Sequence, residues 1–148
     1  MARRLRRRGG GQDGGGVASK GGARLFGNVF PEHQVSPPIQ AFTTQQASRM
    51  SKKVNYVVTE SGELLLGRRA NELGGGHIDL AGGAPVQAAG EVLFIRGQVR
   101  MLDNTSGHYH PSGPQAQAVA ETAFQEAGFD VAGKYIEKMW DGNAWVPK

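Results

Sequence analysis

The segment VQAAGEVLFIRGQVRML, residues 86–102, decides the fold. Val86 to Ile95 ends in the apolar run Val92-Leu93-Phe94-Ile95, and Val99 to Leu102 follows after Arg96-Gly97-Gln98. Two strand-like runs joined by so short a connection, with Gly at its centre, predict a tight hairpin. Working outward, Val54, Tyr56 and Val58 alternate with Asn55, Val57 and Thr59; Glu60-Ser61-Gly62 then supplies turn chemistry before Leu64-Leu65-Leu66-Gly67. That is a second hairpin. His77-Ile78-Asp79-Leu80, between Gly74-Gly75-Gly76 and Gly82-Gly83, reads as a further short strand.

Downstream, a helix is expected over 114–127. Ser112 stands as N-cap, Pro114 falls in the first turn where a missing N–H costs nothing, and Gln115 lies three after Ser112 in capping-box register. Ala116, Val119, Ala120, Ala123, Phe124 and Ala127 recur at spacings of three and four as one apolar stripe, and Gly128 is placed for a left-handed C-terminal cap. Tyr135 to Trp140 reads as a final strand or a short helical turn, and Asp141-Gly142-Asn143 turns the chain. Four or five strands with one main helix predict an α+β domain with a small, mostly antiparallel sheet.

The rest of the chain divides by composition. Residues 1–24 are Gly and Arg with almost nothing apolar, which predicts a disordered basic tail. Residues 25–53 carry scattered hydrophobes (Phe26, Phe30, Ile39, Phe42) without a sustained period, and Pro37-Pro38 interrupts them. They read as a linker with anchoring contacts, leaving 54–148 as one domain. Ten Lys and Arg against Asp13 and Glu32 give residues 1–53 a charge of +8. Seven basic against eleven acidic residues give the remainder −4, so the positive net charge of +4 comes from the N-terminal part. A polycation on a Gly-rich tether can hold phosphate backbones without sequence preference, whereas the acidic domain is expected to lack an electrostatic footprint of its own for nucleic acid. The absence of cysteine excludes disulfides, thiolate nucleophiles and Cys-ligated zinc. No secretory signal pattern and no apolar run long enough for a membrane span is present.

The chemistry-bearing text is TSGHYHPSG, residues 105–113. Pro111 biases His110 toward an extended backbone, so His108 and His110 are expected on one face, about 6.5 Å apart, with Tyr109 on the other. They would stand ahead of a helix N-terminus, whose free N–H groups favour an anion. Two imidazoles beside an anion site meet the requirement of metal-free phosphodiester cleavage, one removing a proton and one donating. A metal site completed by His77 with Asp79 or Glu91 is an alternative. So is a set of surface histidines at a strand end. Glu91, just before the apolar run, reads equally as a functional acid or an edge charge.

The run from Gly76 to Gly113, with its AAGE and SGHY pieces, resembles the C-terminal tip module of bacterial polymorphic toxins of the rearrangement-hotspot type, and the conserved region of plant IQ-motif-containing calmodulin-binding proteins. The likeness covers about 56–133 and places His77, Glu91, Ser106, Gly107, His108 and Tyr109 on the shared pattern. His110 falls on a variable position, which favours His77 with His108 or Tyr109. The toxin resemblance implies an effector delivered into a target-cell cytoplasm and a cognate immunity protein as partner. Three functions are compatible. The first is a metal-independent endoribonuclease using His77 and His108, with Glu91 and Tyr109 assisting, Ser106, His110 and Ser112 contacting RNA, and no cofactor. The second is transfer of ADP-ribose from the nicotinamide dinucleotide NAD, with His and Tyr holding the cofactor and Glu91 stabilising the cation. The third is a non-catalytic protein-binding module.

Overall fold

The computed structural model describes residues 24–33, 35, 41–69 and 76–148. The hairpin at 86–102 forms as β3 (Val86–Ile95) and β4 (Gln98–Asp103), with Ile95 paired to Gln98. Arg96 and Gly97 have φ of 52° and 77°. Two consecutive positive φ values make the mirror-image turn whose twist matches that of its strands. Gly97 is required twice over, because a Cβ there would also overlap the Ser48 carbonyl.

β1 (Lys52–Thr59) and β2 (Leu64–Gly67) form the other hairpin, with Val58 opposite Leu64. β1 also runs antiparallel to β3, from Lys52↔Phe94 to Thr59↔Val86. A two-residue strand, β5 (Tyr135–Ile136), adds to β4 in parallel, giving the order β2-β1-β3-β4-β5. The domain is therefore α+β with a five-stranded, mostly antiparallel sheet. β6 (Lys138–Trp140) and β7 (Trp145–Pro147) make a separate small hairpin. Its turn is held by Asp141, whose Oδ1 accepts the N–H groups of Asn143 and Ala144.

Strand alternation gives the sheet two apolar faces. Tyr56, Val58, Ala88, Val92, Phe94 and Leu102 share a core with Ala120, Ala123 and Phe124 of a helix, α3 (Pro114–Glu126). Phe124 meets Tyr56 edge to face at 5.2 Å, and its burial contributes roughly 2 kcal/mol. Val57 and Ala89 point the other way, toward Phe26, Leu80 and Tyr109. The helix ends as its sequence predicts, with Gly128 at φ 97°.

Its start differs. Gly113, at φ 95°, takes the N-cap position with no side-chain cap, and Ser112 is exposed. The left-handed glycine turns the chain into the helix one residue later than a serine cap requires. Glu137 Oε2 instead accepts the Gly113 N–H at 3.0 Å. The anion expected at this helix end is thus supplied by the chain itself.

His77–Leu80 is likewise a helical turn, α2, and not a strand. Gly76 enters it at φ 95°, Leu80 N–H bonds to the Gly76 carbonyl, and Ala81 N–H bonds to that of His77. Flanking glycines that permit left-handed entry and exit explain why four apolar-patterned residues close a turn.

The anchoring contacts foreseen in 25–53 are substantial. Leu25 and Phe26 are buried, and Phe26 exchanges both backbone hydrogen bonds with Val86. Phe42 bridges Leu66, and Thr43 and Gln46 form a capping box on a four-residue helix, α1 (Thr44–Ala47). The expected disordered tail lies, except for Arg24, outside the described residues. Among the described residues no helix is long and apolar enough to cross a membrane.

Candidate histidine site

Two buried residues hold the ends of the loop after β4. Asp103 is fully buried; its Oδ1 accepts the N–H groups of Glu91 and Thr105, and its Oδ2 lies 3.2 Å from Lys138 Nζ. Asn104 donates to the carbonyls of Pro111 and Lys138 and accepts the Lys138 N–H. The loop is thereby tied to β3 behind it and to β6 beside it.

Between these anchors the chain turns tightly. Ser106 is buried; its carbonyl accepts the His110 N–H at 3.0 Å and its hydroxyl accepts the Tyr109 N–H at 3.3 Å. His110 has φ 46°. The extended arrangement expected from Pro111 is therefore absent: a residue barred from the right-handed helical region by the following proline has gone to the left-handed one. The two rings diverge as a result. His110 packs on Trp145 at 5.1 Å, while His108 meets Phe30 and His33.

His33 Nδ1 and His108 Nε2 are 3.0 Å apart, one donating and the other accepting. His33 also stacks on Phe30 at 5.0 Å, and the Val29 N–H bonds to the His108 carbonyl at 2.7 Å. Behind this pair, His77 is buried and donates Nε2–H to the Gly90 carbonyl at 2.7 Å. A carbonyl only accepts, so this bond fixes the tautomer and leaves the His77 Nδ1 lone pair for other chemistry. Burial pushes the His77 pKa down to about 4, against the opposing pull of the Gly90 carbonyl and Asp103 and with a further push from His108. The His108 pKa is lowered too, by burial first and then by His33, while Asp79 acts to raise it. His108 is thus coupled electrostatically to His33, His77 and Asp79, and two of the three imidazoles are held toward the neutral form.

The other predicted residues are spoken for. Tyr109 is buried and donates to the Ala84 carbonyl at 2.7 Å, and burial raises its pKa to about 12. Glu91 lies on β3 next to Gly90, but its carboxylate pairs with Lys53 at 3.8 Å and Arg69 at 3.4 Å. Among the described residues no group of three or more His, Asp or Glu is arranged to hold a metal ion.

His33 is a participant that no motif marks, lying in the stretch that reads from the sequence as a linker. It stands 75 positions from His108 in a stretch without periodicity, and the bridge of Phe26 to Val86 together with the Val29 N–H bond to the His108 carbonyl brings it near. The local signal was Phe30, three residues earlier, which stacks on it. No family model, no curated protein and no solved structure matches the chain.

Proposed function

We propose that the chain is an effector of the polymorphic-toxin kind that cleaves RNA through its histidine cluster, without a metal. One observation carries this reading: the His33–His108 ring contact at 3.0 Å, backed by His77. A cleavage of this type needs a neutral imidazole to take the proton of the ribose 2′-hydroxyl as its oxygen attacks phosphorus. It also needs an imidazolium to give a proton to the departing 5′-oxygen, leaving a 2′,3′-cyclic phosphate and a 5′-hydroxyl. His108, kept below the ordinary histidine pKa, suits the base once entering RNA displaces the His33 ring from its Nε2. His33 is exposed, with Glu32 Oε2 4.0 Å from its Nε2, and suits the acid. His77 acts by position, through the Gly90 carbonyl. The Arg-rich tail adds affinity for phosphate, and an immunity protein would cover the cluster.

The ADP-ribosyl transfer reading has less support, since the Tyr109 hydroxyl is committed to Ala84 and Glu91 to two cations. A protein-binding role is favoured by exposed Val29, Phe30 and Val35 on the segment that carries His33. The test is incubation of the full chain with total RNA in the presence of a chelator. We expect fragments ending in cyclic phosphate, abolished by His108→Ala and His33→Ala. Intact RNA with wild-type protein would overturn the proposal and leave the binding role.

A further inference from the structure

The net charge of −4 on residues 54–148 conceals a clustering of its arginines, to which Lys52 and Lys53 just before that span add. β1 begins where β3 ends, since Lys52 pairs with Phe94 and Lys53 with Leu93. The Arg96 N–H bonds to Ser51 Oγ at 2.7 Å and the Gly97 N–H to the Met50 carbonyl at 2.9 Å, so the start of β1 abuts the β3–β4 turn directly. β2 finishes at Gly67 opposite Asn55, which sets Arg68 and Arg69 beside Lys53. One end of the sheet therefore carries Lys52, Lys53, Arg68, Arg69, Arg96 and Arg100, of which all but Lys53 are exposed. Arg96 and Arg100 line a recess with Ile95 and Gln98. Against these six, Glu91 pairs with Lys53 and Arg69, and Glu126 and Asp130 flank Phe129, whose ring meets Phe94 at 5.3 Å. Other acids lie elsewhere: Glu60 and Glu63 flank the β1–β2 turn at the opposite end, and Glu137 follows β5.

We infer that this end of the sheet is a docking surface for the phosphate backbone of single-stranded RNA. The inference rests on the RNA-cleavage reading for its choice of partner, and on geometry for its place. Four strands at about 4.8 Å spacing give a cationic ridge roughly 15 Å wide, enough to meet several consecutive phosphates. An anionic membrane would need apolar side chains among the cations. Among the described residues the exposed large hydrophobics are Val29, Phe30, Val35, Ile136, Met139 and Trp140, and none of these belongs to this end. The ridge lies at the far end of the sheet from the edge where Val86 meets Phe26, so it grips substrate away from the histidines.

The experiment uses the full chain and a fluorescent 2′-O-methyl oligouridine, which can bind but lacks the nucleophile for cleavage. Lys52→Gln, Arg96→Asn and Arg100→Gln are combined, asparagine being chosen because it tolerates the positive φ at position 96. We expect affinity at about 0.1 M salt to fall by about tenfold, and the slope of log affinity against log salt to shrink by about 2. Lys134→Gln with Lys148→Gln serves as the control and is expected to change little. Equal effects of the two sets, or unchanged slope in the triple variant with its thermal unfolding intact, would overturn the inference. Ridge-dependent binding to phosphatidylserine vesicles without binding to the oligonucleotide would overturn it as well. Binding that depends on the ridge while total RNA stays uncut would sink the nuclease reading alone, so the two failures are distinguishable.

Discussion

Gly90 and Asp103 meet backbone to backbone. A Cβ on Gly90 would overlap the Asp103 carbonyl oxygen, with the Asn104 Cα close behind. The Tyr56 hydroxyl donates to that same carbonyl at 2.7 Å, and the Gly90 carbonyl in turn receives His77 Nε2–H. The glycine of the AAGE piece thus lets β4 cross close enough to launch the histidine loop, and it seats His77. Gly90→Ala forces backbone apart and not merely a flexible side chain. We expect a loss of about 3 kcal/mol or more, at the upper end of overpacking costs, read as a fall in the urea midpoint. A change under about 1 kcal/mol would show that the strands separate freely.

The buried His77 makes stability depend on pH in a definite direction. Its folded pKa, about 4, lies below the unfolded value of 6.5, so between these values the unfolded chain binds more protons. Stability is then full above about pH 6.5 and declines as pH falls toward 4. The contribution is on the order of 3 kcal/mol. His77→Gln keeps an N–H for the Gly90 carbonyl but does not titrate. Its stability curve should fall less steeply than the wild-type curve across that window, by thermal unfolding at several pH values; parallel curves would refute the assignment.

Much of the fold was legible because local signals and tertiary packing agree. The turn at Arg96-Gly97, the β1–β2 turn and the α3 stripe each declare themselves within a few residues. The misreadings share a cause. Glycines at 76 and 113 adopt left-handed conformations that no periodicity announces, turning an apparent strand into a helical turn and displacing a serine cap. The Gly113 N–H found Glu137, which lies 24 residues on. The histidine site was half legible: His77 and His108 stood out, whereas His33 reaches the cluster through long-range pairing of its segment with Val86 and with the His108 backbone. The basic ridge was invisible to a charge sum, which cannot see that strand order gathers cations at one end.

Tyr109→Phe separates a structural from a chemical role. The hydroxyl bonds to the carbonyl of Ala84, itself an exposed residue that water can reach. The cost should be about 1 kcal/mol, with RNA cleavage retained within about threefold. A rate loss of a hundredfold or more with a normal melting profile would make Tyr109 a catalytic residue, on the usual scale of acid–base contributions.

Asn104→Ala removes three hydrogen bonds at a site 1 % exposed, leaving the Pro111 and Lys138 carbonyls and the Lys138 N–H without that partner. We expect destabilisation of about 3 kcal/mol. The 105–111 loop and the β6–β7 hairpin should lose amide-exchange protection together, because this one side chain links them. Loss confined to either element would mean that the Asp103–Lys138 ion pair suffices as the tie.

The ring cluster itself can be tested without knowing the substrate. Burial and the neighbouring His33 lower the His108 pKa, and Asp79 raises it. Replacing His33 by Ala removes a like charge and uncovers the ring, and both effects favour the protonated form. The His108 titration followed by NMR should therefore move up, toward 6.5. Asp79→Asn removes the opposing carboxylate and should move it further down. Opposite responses to the two substitutions are expected only if all three groups act on one ring in the folded protein. A His108 pKa indifferent to His33 would place the rings apart in solution and withdraw the proton-sharing pair on which the catalytic reading depends.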